Sequence, residues 1–106
     1  MQSIIHKIRL LDIGHAQAFE NWVLDTDYAT CPELPSVRSF AVYRVSSAHD
    51  APFHYIEVIK VSSDEAFQRD MGSASFARLV EGFSTMAEVE EEVAGTQLGA
   101  GYRAPA

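Results

Sequence analysis

The chain has 106 residues, 47% of them hydrophobic and 22% charged, which suffices for one domain with a modest core and excludes a second domain. Eight lysines and arginines against 15 acidic residues leave a formal net charge of −7, so neither nucleic acid nor an anionic membrane surface is an expected partner. No apolar run approaches the roughly 20 residues of a membrane span, and MQSIIHKIRL lacks the pattern of a secretory leader, so the expected location is cytoplasmic.

Residues 3 to 10, SIIHKIRL, alternate as a first strand, with Ile4, His6, Ile8 and Leu10 on one face and Ile5, Lys7 and Arg9 on the other. From Gly14 the spacing turns helical, because Ala16, Phe19 and Val23, and Ala18 with Trp22, fall three or four apart. Asp25, Asp27 and then Cys31-Pro32-Glu33-Leu34-Pro35 end this helix, and the two prolines predict an extended connection. Cys31, the only cysteine, reads as a small buried residue, without a partner for a disulfide or a zinc pattern. SVRSFAVYRVSS from Ser36 is a second strand, Ala48 to Pro52 a turn, and FHYIEVIKV, Phe53 to Val61, a third strand.

Ser63-Asp64-Glu65 predicts a helix start, with acidic residues where the helix dipole favours them. The apolar stripe of Phe67, Met71, Phe76, Leu79, Val80, Phe83 and Met86 is interrupted at Gly72-Ser73, which predicts a kink or a break. AEVEEEV from Ala87 then alternates as a half-wet edge strand, with Val89 and Val93 on one face and Glu88, Glu90 and Glu92 on the other. Glu88 and Glu90 to Glu92 read as a solvated face, and residues 94 to 106, rich in glycine, as a loose C-terminal arm of a single domain spanning 1–106.

The order β-α-β-β-α-β predicts an α+β class fold, the ferredoxin-like split βαβ, in which an antiparallel four-stranded sheet carries two helices on one face. The third strand is apolar on both faces: Phe53, Tyr55, Ile59 and Val61 alternate with Ile56 and Val58. Two helices cover only one side, so a second copy of the sheet is expected to cover the other, giving a homodimer of the dimeric α/β-barrel type with a cavity between sheet and neighbouring loops. A helix from the C-terminal arm is the competing cover.

The first and third strands are central neighbours in this fold, so His6, His54 and Glu57 are the candidate catalytic proton carriers. Should their faces turn toward the helices, each reads instead as a core residue satisfied by a hydrogen bond. Phe40, Tyr43 and Tyr55 are candidates to line a flat aromatic site. Asp27 and Thr30, beyond the first helix, sit where a loop would close over a cavity mouth, and Trp22 joins the substrate-binding candidates although its helical spacing is that of a core residue. There is no GxGxxG, P-loop, G-x-S-x-G, HExxH or CxxC, so the expected site uses neither cofactor nor metal.

FENWVLDTDYATCPELPSVRSFAVYRV, PFHYIEVIKV and FQRDM together resemble the REDY-like HapK proteins over about residues 4 to 93, most specifically at Trp22-Val23, Asp27, Leu34 to Val37 and Tyr55 to Ile59. The resemblance implies a small dimeric α/β-barrel of prodigiosin-type and bisindole alkaloid pathways. It further implies a cofactor-independent cyclisation of a small aromatic substrate, a pyrrole or bisindole intermediate, alongside other enzymes of the pathway. The chain is more loosely similar to the stress-responsive dimeric barrels, which include a polyketide cyclase with a first-strand histidine and a third-strand histidine three before a glutamate, as at His6, His54 and Glu57. That family's further histidine in helix two has no counterpart at Gly72 to Ser75, where Asp70 or Arg69 would have to substitute. A cofactor-free monooxygenase of the antibiotic-biosynthesis type and a non-catalytic protein that binds an intermediate are the alternatives.

Overall fold

The structure, a computed structural model, describes residues 1–106. Strands β1 (Gln2–Leu10), β2 (Val37–Arg44), β3 (Tyr55–Val61) and β4 (Ala87–Thr96) form one antiparallel sheet in the order β2-β3-β1-β4. With helical segments after β1 and after β3, this is the expected α+β ferredoxin-like arrangement.

The first helical run starts where Asp12 Oδ1 accepts from the Gly14 N–H at 2.7 Å. Helix α1 (Ala16–Trp22) widens into a π-helical turn over Val23–Asp27, regains α geometry in α2 (Tyr28–Thr30) and tightens to a 3-10 turn over Cys31–Glu33. The extended connection expected at Cys31-Pro32 is therefore helical, because Pro32 sits in a first turn, where the N–H it lacks would have no partner within the helix. After β3, the Ser63 hydroxyl accepts from the Ala66 N–H and opens α3 (Asp64–Met71). The Ser73 hydroxyl accepts from the Phe76 N–H and opens α4 (Ala74–Ser84), so a second N-cap makes the predicted interruption a full break.

Two expectations about the C-terminal region need correction. Strand β4 runs on to Thr96, whose hydroxyl accepts from the Gln2 side chain at 2.8 Å, so the loose arm starts later than residue 94; it forms no helix. The β1–β4 register also shifts between Lys7 and Ile8, leaving Ile8 opposite Val89 and His6 opposite Glu92. Val89 and Glu92 thereby share the helix side, whereas Glu91 reaches Lys7 on the outer face at 3.0 Å, a mixing that strict alternation does not allow.

Ile4, Ile8 and Leu10 of β1 and Tyr55, Ile59 and Val61 of β3 are buried toward the helices. They divide into two clusters. One gathers Ile8, Leu10, Phe19, Val23, Tyr55 and Ala87; the other gathers Ile4, Ile59, Val61 and Phe67. The rung between them carries the cross-strand pair His6 and Glu57. On the opposite face Ile5 is 37% exposed, Tyr43 52% and Val93 48%, and Lys7 lies 5.3 Å from the Phe53 ring centroid. Nothing in the chain covers that face.

Candidate active site

The gap between the two core clusters opens into a cavity of about 360 Å³ between the sheet and the helices, with a lining that is mainly apolar. Trp22, Phe40, Phe67, Phe76 and Phe83 supply its aromatic walls, and His6, Asp27, Glu57 and Glu92 are among its polar groups. The expectation that His6 and Glu57, if turned toward the helices, are core residues is thus corrected. Side chains that face the helices are not all core residues here, because the helix layer does not close over the middle rung.

That rung orders Glu57, His6 and Glu92 across three adjacent strands. His6 Nδ1–H donates to Glu57 Oε1 at 2.5 Å, and Nε2 lies 3.7 Å from Glu92 Oε1. Glu57 therefore fixes the ring orientation and leaves Nε2 as the nitrogen free to exchange a proton. Burial lowers the His6 pKa, but the Glu57 hydrogen bond, with the charges of Glu57 and Glu92, outweighs it and the net displacement is upward from 6.5.

Asp27 enters the cavity from the π-helical turn, a local widening of the kind that frequently marks functional sites. It is 8% exposed, and no group in the protein donates a hydrogen bond to its carboxyl. Burial, reinforced by the negative charge of Glu57, raises its pKa to about 7. Cys31, one helical turn on, also lines the cavity; burial first, then Asp27 and Glu57, push its thiol up to about 11, so it is neither small-core filler nor a thiolate nucleophile at neutral pH.

His54 does not belong to this site. Its ring is 1% exposed, Nδ1 accepts from the Leu10 N–H at 3.0 Å, and Nε2–H donates to the Ala48 carbonyl at 2.9 Å. Both nitrogens hold backbone, and neither is left for a substrate. Tyr55 is also withdrawn from the binding set: it packs on Phe19 at 4.8 Å between ring centroids, and its hydroxyl donates to Glu20 Oε2 at 2.7 Å. Tyr43 is on the outer face of the sheet, and the Thr30 hydroxyl donates back to the Thr26 carbonyl within its own helical run. Of the substitutes expected on helix two, the Asp70 carboxylate accepts from both the backbone and the hydroxyl of Ser36, and Arg69 is exposed. Trp22, Phe40 and Asp27 do line the cavity. Glu92 was missed, since only the shift in the β1–β4 register turns it inward and no sequence pattern announces that shift.

The profile of the family described as REDY-like protein HapK matches residues 2–98. The chain is similar to HapK from Hahella chejuensis, with 58% identity over 99% of this chain and 100% of that one and a TM-score of 0.98. It is also similar to SnoaB from Streptomyces nogalater, described as a cofactor-independent oxygenase, at 14% identity over 93% of this chain and 94% of that one (TM-score 0.70). An ethyl tert-butyl ether (ethd) family protein from Bacillus halodurans aligns at 16% identity over 92% and 97% of the two chains (TM-score 0.63). These last two likenesses concern the fold alone. No curated protein matches the chain. From the match to nearly its whole length and the identity shared with HapK, this chain belongs to the REDY-like HapK family.

Proposed function

We propose that the protein is a cofactor-independent cyclase acting by general acid and base catalysis on a reactive aromatic intermediate, of pyrrole or bisindole type, in alkaloid biosynthesis. The observation that carries the reading is the polar rung at the floor of an apolar cavity: a histidine oriented by one carboxylate, with a second carboxyl, protonated in part at neutral pH, facing the same space. A cavity of about 360 Å³ is at the small end of the roughly 300–1,000 Å³ of small-molecule sites, and its aromatic walls suit a flat ligand.

In this reading Asp27 gives its proton to a heteroatom of the electrophile, and a nucleophilic ring carbon attacks. His6 Nε2 then removes the proton from that carbon and restores aromaticity. Glu57 and Glu92 stabilise the imidazolium so formed, and the proton returns to the Asp27 carboxylate through solvent. One carbon–carbon bond forms, no electrons leave the substrate, and neither metal nor flavin enters the balance. Trp22, Phe40 and Phe83 hold the reacting ends together and exclude water, which contributes through orientation as much as proton transfer does. The uncovered apolar sheet face supports a homodimer in which a second copy provides the cover.

Incubation of the purified protein with a pyrrolic or bisindole intermediate, with product analysis and an oxygen electrode, tests the reading. A cyclised isomer formed without oxygen uptake, and diminished in Glu57→Gln, is the expected result. Stoichiometric oxygen uptake would establish a monooxygenase instead, and binding without turnover would establish a carrier of the intermediate.

A further inference from the structure

The charge of the cavity is one-sided. Four carboxyl side chains, Asp27, Glu57, Asp64 and Glu92, line it, and neither lysine nor arginine does. His6 is its only basic group, and it is already matched by Glu57 on Nδ1 and by Glu92 beyond Nε2. Even with the imidazole protonated, the carboxylates outnumber the cations. Among them Asp27 stands apart, because the residue is more than nine-tenths buried, yet its carboxyl oxygens open into the cavity and receive no hydrogen bond from the protein. A carboxyl that the protein leaves without a donor is open to one from whatever occupies the cavity, and a ligand N–H replaces the solvent contact that an apolar ligand would remove.

We infer that the cavity takes a flat, apolar ligand carrying a basic nitrogen of the imine or amidine type, bound as a cation with an N–H directed at the Asp27 carboxylate. The inference rests on the reading of this cavity as the substrate site, and it narrows the substrate to nitrogen bases. Aromatic carboxylates and phosphates would bring a second negative charge against Asp27 and Glu57 with no cation to receive it. The same arrangement fits the proposed chemistry, since transfer of the Asp27 proton to an imine nitrogen produces an iminium and a carboxylate already in contact. The electrophile is activated by the act of being bound.

Trp22, the only tryptophan, lines the cavity, so its fluorescence reports occupancy directly. Three probes of matched shape separate the outcomes: naphthamidine as cation, naphthamide as neutral donor and naphthoate as anion, each titrated into wild type and Asp27→Asn. The expected result is naphthamidine at least tenfold tighter than naphthamide, no saturable binding of naphthoate, and loss of the amidine preference in Asp27→Asn. Glu92→Gln, at the exposed rim, should weaken naphthamidine less than Asp27→Asn does. Naphthoate binding as tightly as naphthamidine would overturn the inference, and so would a preference unchanged by Asp27→Asn. Because binding alone is read, a protein that selects the cation but performs no cyclisation retains this inference while losing the proposed activity. A cyclase indifferent to probe charge does the reverse.

Discussion

His54 is the sharpest separation between what the residue type invites and what its surroundings permit. Replacing it by alanine removes the acceptor of the buried Leu10 N–H and the donor to the Ala48 carbonyl. A buried backbone group left unpaired costs about 1–3 kcal/mol, and the space vacated by a ring only 1% exposed adds a packing loss. Water entering the polar gap recovers part of this, and we expect His54→Ala to lose about 3 kcal/mol, or roughly 12–24 °C in Tm at about 4–8 °C per kcal/mol for a domain near this size. His54→Asn, whose Oδ1 can accept from the Leu10 N–H, should lose about half as much. Urea unfolding followed by circular dichroism, with the m-value checked against wild type, measures both. Turnover by the folded fraction should be unaltered. A His54→Ala protein within about 0.5 kcal/mol of wild type, or one fully stable but inactive, would refute the assignment of His54 to structure.

Other consequences concern the cavity and the outer face. The Asp27 carboxyl rises from 3.8 to about 7 on folding, so the folded state binds the extra proton between those values and stability falls as pH rises from about 4 to 7, then levels. At about 1.36 kcal/mol for each pH unit, Asp27→Asn should be more stable than wild type by on the order of 4 kcal/mol at pH 8, with the difference vanishing below pH 4 in urea titrations; a constant difference across pH contradicts this. His6, raised above 6.5 by Glu57 and Glu92 against burial, adds stability that is complete below pH 6.5 and is lost as pH climbs through its folded value, so His6→Gln should flatten the profile above neutrality. A Cβ at Gly82 would lie 2.8 Å from Trp22 Nε1. Gly82→Ala should therefore displace the indole, shift its emission and destabilise the fold by about 1–3 kcal/mol, even though alanine improves helix propensity by about 1 kcal/mol. Val58→Glu, on the uncovered face of the central strand β3, should leave monomer folding near wild type and abolish self-association in sedimentation velocity; a wild type that sediments as a monomer at micromolar concentration contradicts the homodimer.

Much of the fold was legible because its signals are local. Alternation in SIIHKIRL and FHYIEVIKV, the Ser63 cap and the break at Gly72-Ser73 each depend on neighbours within a few residues. That His6 and Glu57 lie near one another followed from topology, since the first and third strands are central neighbours, whereas their sharing of one rung and one face comes from the register. What the sequence does not display is where space is left. Whether the helix layer closes over that rung depends on how α1, α3 and α4 seat on the sheet, and the gap between two core clusters is what turns His6 from a core histidine into a lining residue. Glu92 was hidden for a related reason, and Asp27, although a binding candidate from the sequence, reads there as part of a loop at the cavity mouth rather than of a helical wall. One faces inward through an irregular strand register and the other through a π-helical turn, and both are departures from the regular periods on which pattern reading relies. His54 illustrates the converse: its spacing from Glu57 looks chemical, but it lies just before the first residue of β3, where its ring is taken up by the backbone of Leu10 and Ala48.

The most direct test is the rate at which His6→Gln converts the aromatic intermediate, compared with wild type and His54→Asn under identical conditions. The amide N–H of the introduced glutamine can still donate to Glu57, so the fold and the cavity should survive while the proton acceptor is lost. Formation of the cyclised product should fall by about 10²-fold or more, with His54→Asn close to wild type once corrected for its folded fraction. Equal rates for His6→Gln and wild type, or a loss confined to His54→Asn, would contradict catalysis in the cavity between sheet and helices.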